Sequence, residues 1–357
     1  MFSFVRAIVL FGLFIGGFLM FTGFHNPAFG TAAPTTMPKS TATLAPTPSA
    51  IPTATLLSTT TPTSPLTGTS APIGPGVSWK TRTLPVTADW DSVAFGNGVF
   101  VAVATGNNNV AAVSTDGITW TAQSLPAQAF WVSVTFGNGM FVAISQETTA
   151  ALSPDGRTWT PVTLPRGPTW TSVTYGNGNY VAVSLSSAEA ASSADGVTWV
   201  TRTLPSIAPW KSITFGNGRF VTVSTIDSSA AATSPDGITW TPQTLPGSAY
   251  WYSVTSDDGQ FIAVANGPSA AAATSPDGIT WAARTLPSTA SWTSIVYGGG
   301  LFVAIASGPS QTAATSPDGI TWTAETLPIS QFWTSIAYGK GLFVAIASNS
   351  NVAATSP

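Results

Sequence analysis

The stretch WTSVTYGNGNYVAVSLSSAEAASSADGVTWVTRTLP, residues 170–205, decides the fold. Four segments within it alternate apolar and polar residues and are rich in Val, Thr and aromatics, which reads as strands near 170–176, 179–184, 188–194 and 197–204. Asn177-Gly178 predicts a tight type I′ hairpin, because both central residues of that turn need positive φ. Asp195-Gly196 predicts the same for a second hairpin. Leu204-Pro205 closes the stretch, and proline, lacking a donor, suits the end of an edge strand.

The pattern recurs on both sides. Fourteen tryptophans fall in the pairs Trp79/Trp90, Trp120/Trp131, Trp159/Trp170, Trp199/Trp210, Trp240/Trp251, Trp281/Trp292 and Trp322/Trp333, eleven residues apart within a pair and 39 to 41 between successive pairs. A period near 40 marks a stacked or circular repeat architecture. Asp-Gly recurs with Asp116, Asp155, Asp195, Asp236, Asp277 and Asp318, which are expected to be structural turn residues. Four antiparallel strands per copy, seven times over, predict an all-β, seven-bladed β-propeller. A straight solenoid would need polar capping repeats, and none is visible. The chain stops at Ala353-Ala354-Thr355-Ser356-Pro357, where Asp-Gly should follow, and the repeats open at Gly76-Val77-Ser78-Trp79. Residues 77–84 are therefore expected to supply the outermost strand of the blade whose other strands come from 333–357, closing the ring.

Three regions follow: 1–30, a signal peptide or membrane anchor; 31–75, a linker; and 76–357, the propeller. Arg6 precedes an apolar run from Ala7 to Phe24, intermediate in length between a signal-peptide core and a membrane span, and Ala28-Phe29-Gly30 offers a cleavage site. Either outcome places the repeats outside the cytoplasm, secreted or at the cell surface. In 31–75, 14 Thr, 9 Pro and 5 Ser among 45 residues cannot bury a core and read as an extended spacer, with a Ser/Thr-Pro bias that suits glycosylation.

Charged residues make up 7% of the chain and the net charge is −3, which argues against nucleic acid. There is no cysteine, and the only histidine, His25, lies in the targeting segment, so imidazole catalysis and thiolate or histidine metal sites are not expected in the repeats. No cofactor and no metal is indicated.

Ser153-Pro154-Asp155-Gly156-Arg157-Thr158-Trp159 and Ser234-Pro235-Asp236-Gly237-Ile238-Thr239-Trp240 resemble the Asp-box, or BNR, repeats of sialidase-like propellers, in a variant with one residue fewer between Asp and Gly. The resemblance spans 76–357. Similar boxes occur in secreted hydrolases, sorting receptors and photosystem II assembly factors, and the resemblance implies that the box locks the hairpin between the third and fourth strands. Sialidases hold a substrate carboxylate with three arginines around a central pocket. Here Arg82, Arg202 and Arg284 fall in outer strands, Arg157 and Arg219 follow turns at the opposite end, and only Arg166 falls in a loop of the pocket end.

That pocket end, the top, carries the loops joining strands two and three and the connections between copies. Asp89, Asp91, Glu147, Glu189 and Asp227 map near it, and two carboxylates at ~5–10 Å could hydrolyse a glycoside. The copies differ most in the top loops and in the residue before the strand-one tryptophan, which is Asp89, Phe130, Thr169, Pro209, Tyr250, Ser291 and Phe332 in turn. Exposed aromatics on a rigid scaffold mark contact sites. The expected ligand-binding set is Phe130, Tyr250 and Phe332, with Trp131, Trp251 and Trp333 beneath them. The expected function is an extracytoplasmic, monomeric module that binds a glycan or protein on its top face. A degenerate sialidase-like glycoside hydrolase or lyase is the alternative, and a structural display domain a third.

Overall fold

The computed structural model describes residues 76, 78–185, 187–257 and 259–357, and the regular structure among them is all β-strand. The expected targeting segment, 1–30, and the expected linker, 31–75, lie outside the described residues.

In the third copy the strands run Trp170–Gly176, Asn179–Ser184, Ser187–Ser193 and Val200–Ala208, each antiparallel to the one before. The first two coincide with the sequence pattern. Asn177 and Gly178 take φ of 44° and 79°, the mirror-image turn that matches strand twist. Lys340-Gly341 adopts the same signs, at 52° and 73°, where the seventh copy lacks the asparagine.

The Asp-Gly turn departs from expectation. Its glycines are left-handed, with φ between 67° and 74°, but the aspartates are not, so the connection is a wider loop and the fourth strand starts at 200 rather than 197. The reason is the aspartate's hydrogen bonding. Asp195 Oδ1 accepts the amides of Val197 and Thr198, both at 2.8 Å, and the Ser193 hydroxyl at 2.9 Å. Ser193 Oγ accepts the Gly196 amide at 2.8 Å, and the Trp199 indole donates to the Gly196 carbonyl at 2.9 Å. A side chain that closes the loop through three donors removes the need for two left-handed residues.

Leu-Pro also behaves differently from an edge-strand terminus. Lys80–Gly96, Thr241–Ser256, Ala282–Gly298 and Thr323–Gly339 are continuous strands that run through Leu-Pro from one copy into the next. Pairing skips instead: Thr83 pairs with Val352 and the next pair is Ala88 with Ser350. Proline sits in that irregularity, where its missing donor costs nothing, and its leucine is buried, as Leu84, Leu125, Leu164 and Leu327 are at no more than 2% exposure.

The core lies between adjacent copies. Strand-one tryptophans, strand-two aliphatics and the leucine of the preceding copy form each cluster, as Val142, Ile144, Leu164, Trp170, Val173 and Tyr180 do. Two contacts fix the spacing. Gly137 lies against the next copy so closely that a Cβ would meet the Tyr175 ring at 2.0 Å, and Gly339 meets Phe95 in the same way at 2.2 Å. The serine two residues after each strand-one tryptophan accepts an amide from the following copy: Val134 donates to Ser92 at 3.1 Å, Val173 to Ser133 at 3.2 Å and Ile336 to Ser294 at 3.3 Å. Val93 donates to Ser335 at 3.2 Å, linking the seventh copy to the first. Lys80 to Thr83 pair antiparallel with Thr355 to Val352, Gly76 N donates to Pro357 O at 2.7 Å, and Trp79 Nε1 donates to Gly76 O at 2.9 Å, repeating the tryptophan–glycine bond of the Asp-Gly loops.

Candidate functional site

A recurrent bulge builds the site. Strand-one pairing steps from Trp90 to Ser92, from Trp131 to Ser133, from Trp210 to Ser212 and from Trp251 to Ser253, so the residue after the tryptophan is left unpaired. Bulges re-aim side chains. Here they bring Asp91, Val132, Thr171, Lys211, Tyr252, Thr293 and Thr334, one residue from each copy, around one cavity of about 190 Å³, with serines such as Ser92 and Ser212 behind them. A second pocket of about 260 Å³ shares Asp91, Val132, Thr171, Lys211 and Tyr252 and extends toward Thr105, Gln146 and Leu185, at the top ends of strand two and just beyond.

Three of the seven bulge residues act within the frame. Thr171 donates to the Trp210 carbonyl at 2.8 Å, Thr293 to that of Trp333 at 3.1 Å and Thr334 to that of Trp90 at 2.8 Å. Asp91, Val132, Lys211 and Tyr252 do not make that bond. Burial pushes the Asp91 carboxyl up to about 6, with Lys211 pulling it down and Asp89 adding to the rise. The Lys211 ammonium lies 4.4 Å from the centre of the Tyr252 ring, a cation–π arrangement. Asp89 is held outside the cavity by the Ser348 hydroxyl at 3.0 Å and the Asn349 amide at 3.2 Å. Glu147, Glu189 and Asp227 do not line the cavity. Among the described residues no group of His, Asp and Glu gathers that could hold a metal.

The expected aromatics divide. Phe130, Tyr250 and Phe332 are exposed at 41%, 49% and 46%. Tyr250 also lines a surface pocket with Asp227, Asn266 and Pro268. Trp131, Trp251 and Trp333 are corrected: all are buried, and their indoles donate to the carbonyls of Ala127, Gly247 and Ser310 at 3.2, 3.1 and 3.1 Å. No ring face remains for a ligand, because the bulge turns the neighbouring residue, not the tryptophan, toward the cavity. Trp170 lacks such a partner, since strand four of the second copy ends at Thr163 and the chain turns at Gly167 with φ 128°.

The turn aspartates stand at the other end. Backbone amides lead in holding Asp116, Asp155 and Asp318 below the ordinary carboxylate range, and Asp195 falls to about 2. Burial opposes this at Asp236 and Asp277, yet their amide bonds also lower them.

Asp91, Lys211 and Tyr252 were not singled out as a set by sequence. The signal was present one residue past the tryptophans, where the copies read Asp, Val, Thr, Lys, Tyr, Thr, Thr.

No protein-family model matches the chain, and no curated protein matches it. Solved structures do. A virginiamycin B lyase from Staphylococcus aureus is 12% identical with a TM-score of 0.68, covering 78% of this chain and 98% of its own. YCF48 bound to D1 peptide is 17% identical with a TM-score of 0.63, covering 78% and 96%. The WD40 propeller domain of Doa1 is 16% identical with a TM-score of 0.57, covering 78% and 95%. At these identities the likeness shows the fold alone, and that fold is a β-propeller.

Proposed function

We propose that the chain is an extracytoplasmic interaction module, a seven-bladed propeller of the Asp-box type that binds an extended partner, a protein or a glycan, across its top face. The observation that carries this reading is the coincidence of the exposed Phe130, Tyr250 and Phe332 with the same end of the repeats as the cavity mouth. Large exposed aromatics on a rigid scaffold commonly anchor partners. They stand on copies two, five and seven, so a partner touching all three must be extended. A protein is favoured over a glycan, because the stacking tryptophans a sugar would use are buried. YCF48, one of the similar structures, binds a peptide. Closure of the ring by residues 77–84 belongs to the proposal and is supported by the pairing of Lys80–Thr83 with Val352–Thr355 and by the Val93–Ser335 bond. Residues 1–30 would serve as export signal or anchor and 31–75 as a spacer from the surface.

The test is affinity capture and a glycan array with the full chain, run beside the F130A/Y250A/F332A variant. The reading expects a partner held by the parent and lost by the variant, since truncating an anchor costs about 2 kcal/mol or more. Equal binding by both defeats the top-face assignment.

A further inference from the structure

We propose that the central cavity is a second, independent site, which takes a small zwitterion of the amino-acid type, its amine at Asp91 and its carboxylate at Lys211. The site goes beyond the partner-binding reading and does not depend on it.

Among the described residues, Asp91 and Lys211 are the only charged ones in the lining of the two merged pockets, and they carry opposite signs. They come from copies one and four, so they approach the cavity from different sides. Each feels the other's charge, yet among the described residues neither forms an ion pair or a hydrogen bond. Lys211 rests on the Tyr252 ring, which directs and partly desolvates the ammonium without satisfying its donors.

The frame does not explain these residues. At the equivalent positions Thr171, Thr293 and Thr334 bond the next copy's tryptophan carbonyl, and Asp91 and Lys211 give that bond up. Asp91 and Lys211 are partly buried on this wall, and no protein hydrogen bond replaces the hydration that each loses. A ligand bearing one amine and one carboxylate replaces both. A simple anion would leave Asp91 unanswered and add repulsion, and a simple cation would do the same at Lys211. The remaining wall is hydroxyl-rich, with Thr171, Thr293, Thr334 and Ser307, and suits a polar guest. The two pockets, of about 190 and 260 Å³, each lie below the ~300 Å³ at which sites for drug-sized ligands begin, and a small guest fits either.

The experiment is isothermal titration of the full chain at neutral pH with linear zwitterions, from glycine through β-alanine and 4-aminobutyrate to 6-aminohexanoate, with acetate and methylamine as half-ligands. One chain length should bind best, because Asp91 and Lys211, the latter resting on the Tyr252 ring, come from copies one and four on different sides of the cavity, and both half-ligands should bind at least about tenfold more weakly. D91N and K211M should each lose about tenfold or more while keeping the parent's circular dichroism. The F130A/Y250A/F332A variant should bind the zwitterion as the parent does, which separates failure at this site from failure of the top-face reading. The proposal is overturned if no member of the series binds, if acetate or methylamine matches the best zwitterion, or if both near-isosteric variants bind it unchanged.

Discussion

At the lower end of the fourth copy, Ser234, Asp236 and Gly237 close a loop in which the Asp236 carboxylate takes the amides of Ile238 and Thr239 at 2.8 and 3.0 Å. At the upper end of the same copy, Ile226 and Asp227 make the turn with φ of 63° and 46°, and Ile226 is 60% exposed. A β-branched residue in the left-handed region is strained, and glycine or asparagine would relieve it. The lower loop recurs with the same bonds in copy after copy because the bonds determine it. The upper turn tolerates strain, polarity changes and exposed apolar side chains because the frame does not rely on it. Loops fixed by their own bonds stay uniform, loops the frame does not rely on vary, and the cavity and rim both lie at the end that carries the variable loops.

The sharpest way to break this contrast is to attack the frame. Gly137→Val should be the most damaging change, because the new side chain enters the Tyr175 ring from a Cβ position only 2.0 Å away. About 3 kcal/mol or more of stability should be lost, read by denaturant unfolding. A variant as stable as the parent would mean that neighbouring copies do not pack as tightly as described.

Asp236→Ala should cost on the order of 1 kcal/mol with partner binding intact, because the amides of Ile238 and Thr239 lose their acceptor to water. The same loops predict acid sensitivity. The amide bonds from Thr198 and Val197 hold the Asp195 carboxyl down at about 2 in the fold, against 3.8 for an ordinary aspartate. A depressed folded pKa gives stability that is complete above the unfolded value and is lost as pH falls through the folded one. Melting temperature should therefore fall as pH drops from about 4 to 2, and less steeply in a variant with several box aspartates changed to asparagine. A flat profile over that window would contradict the amide-bonded carboxylates.

Asp91 should behave in the opposite sense. Its folded pKa near 6 lies above the unfolded 3.8, so ionising it in the fold costs stability at neutral pH. Asp91→Asn should raise the melting temperature at pH 7.5, by about 2 °C or more, and the gain should shrink at pH 5 as the parent carboxyl takes up its proton. Loss of stability at neutral pH would mark Asp91 as part of the frame.

The single rim changes should matter least to folding. Phe130→Ala, Tyr250→Ala and Phe332→Ala should each stay within about 0.5 kcal/mol of the parent, as exposed substitutions do.

How much of this was legible follows the same division. The tryptophan pairs, Asn177-Gly178 and the alternation within Trp170–Gly176 announced the strands, because turn chemistry and period-two patterning are local. The place of the Asp195 loop is legible in the Asp-Gly pair but its turn type is not, since a carboxylate bonding two amides ahead is invisible to a dipeptide rule. The passage of the strand through Leu204-Pro205 is not legible in sequence, because a skipped pairing depends on the neighbouring strand. The cavity is not legible in sequence, because Asp91, Lys211 and Tyr252 lie far apart along the chain and the bulges turn them to a common centre. The exposure of Phe130, Tyr250 and Phe332 is legible because the residue before the strand-one tryptophan varies freely between copies, although Tyr250 and Phe332 lie inside continuous strands rather than ahead of them.

The most direct test of the division is hydrogen–deuterium exchange of the full chain with and without a captured partner. The account predicts slowed exchange in the upper segments 125–131, 245–251 and 327–333, and unchanged exchange in the lower loops 154–159, 235–240 and 317–322. Protection confined to those lower loops, with the upper segments unaffected, would contradict it.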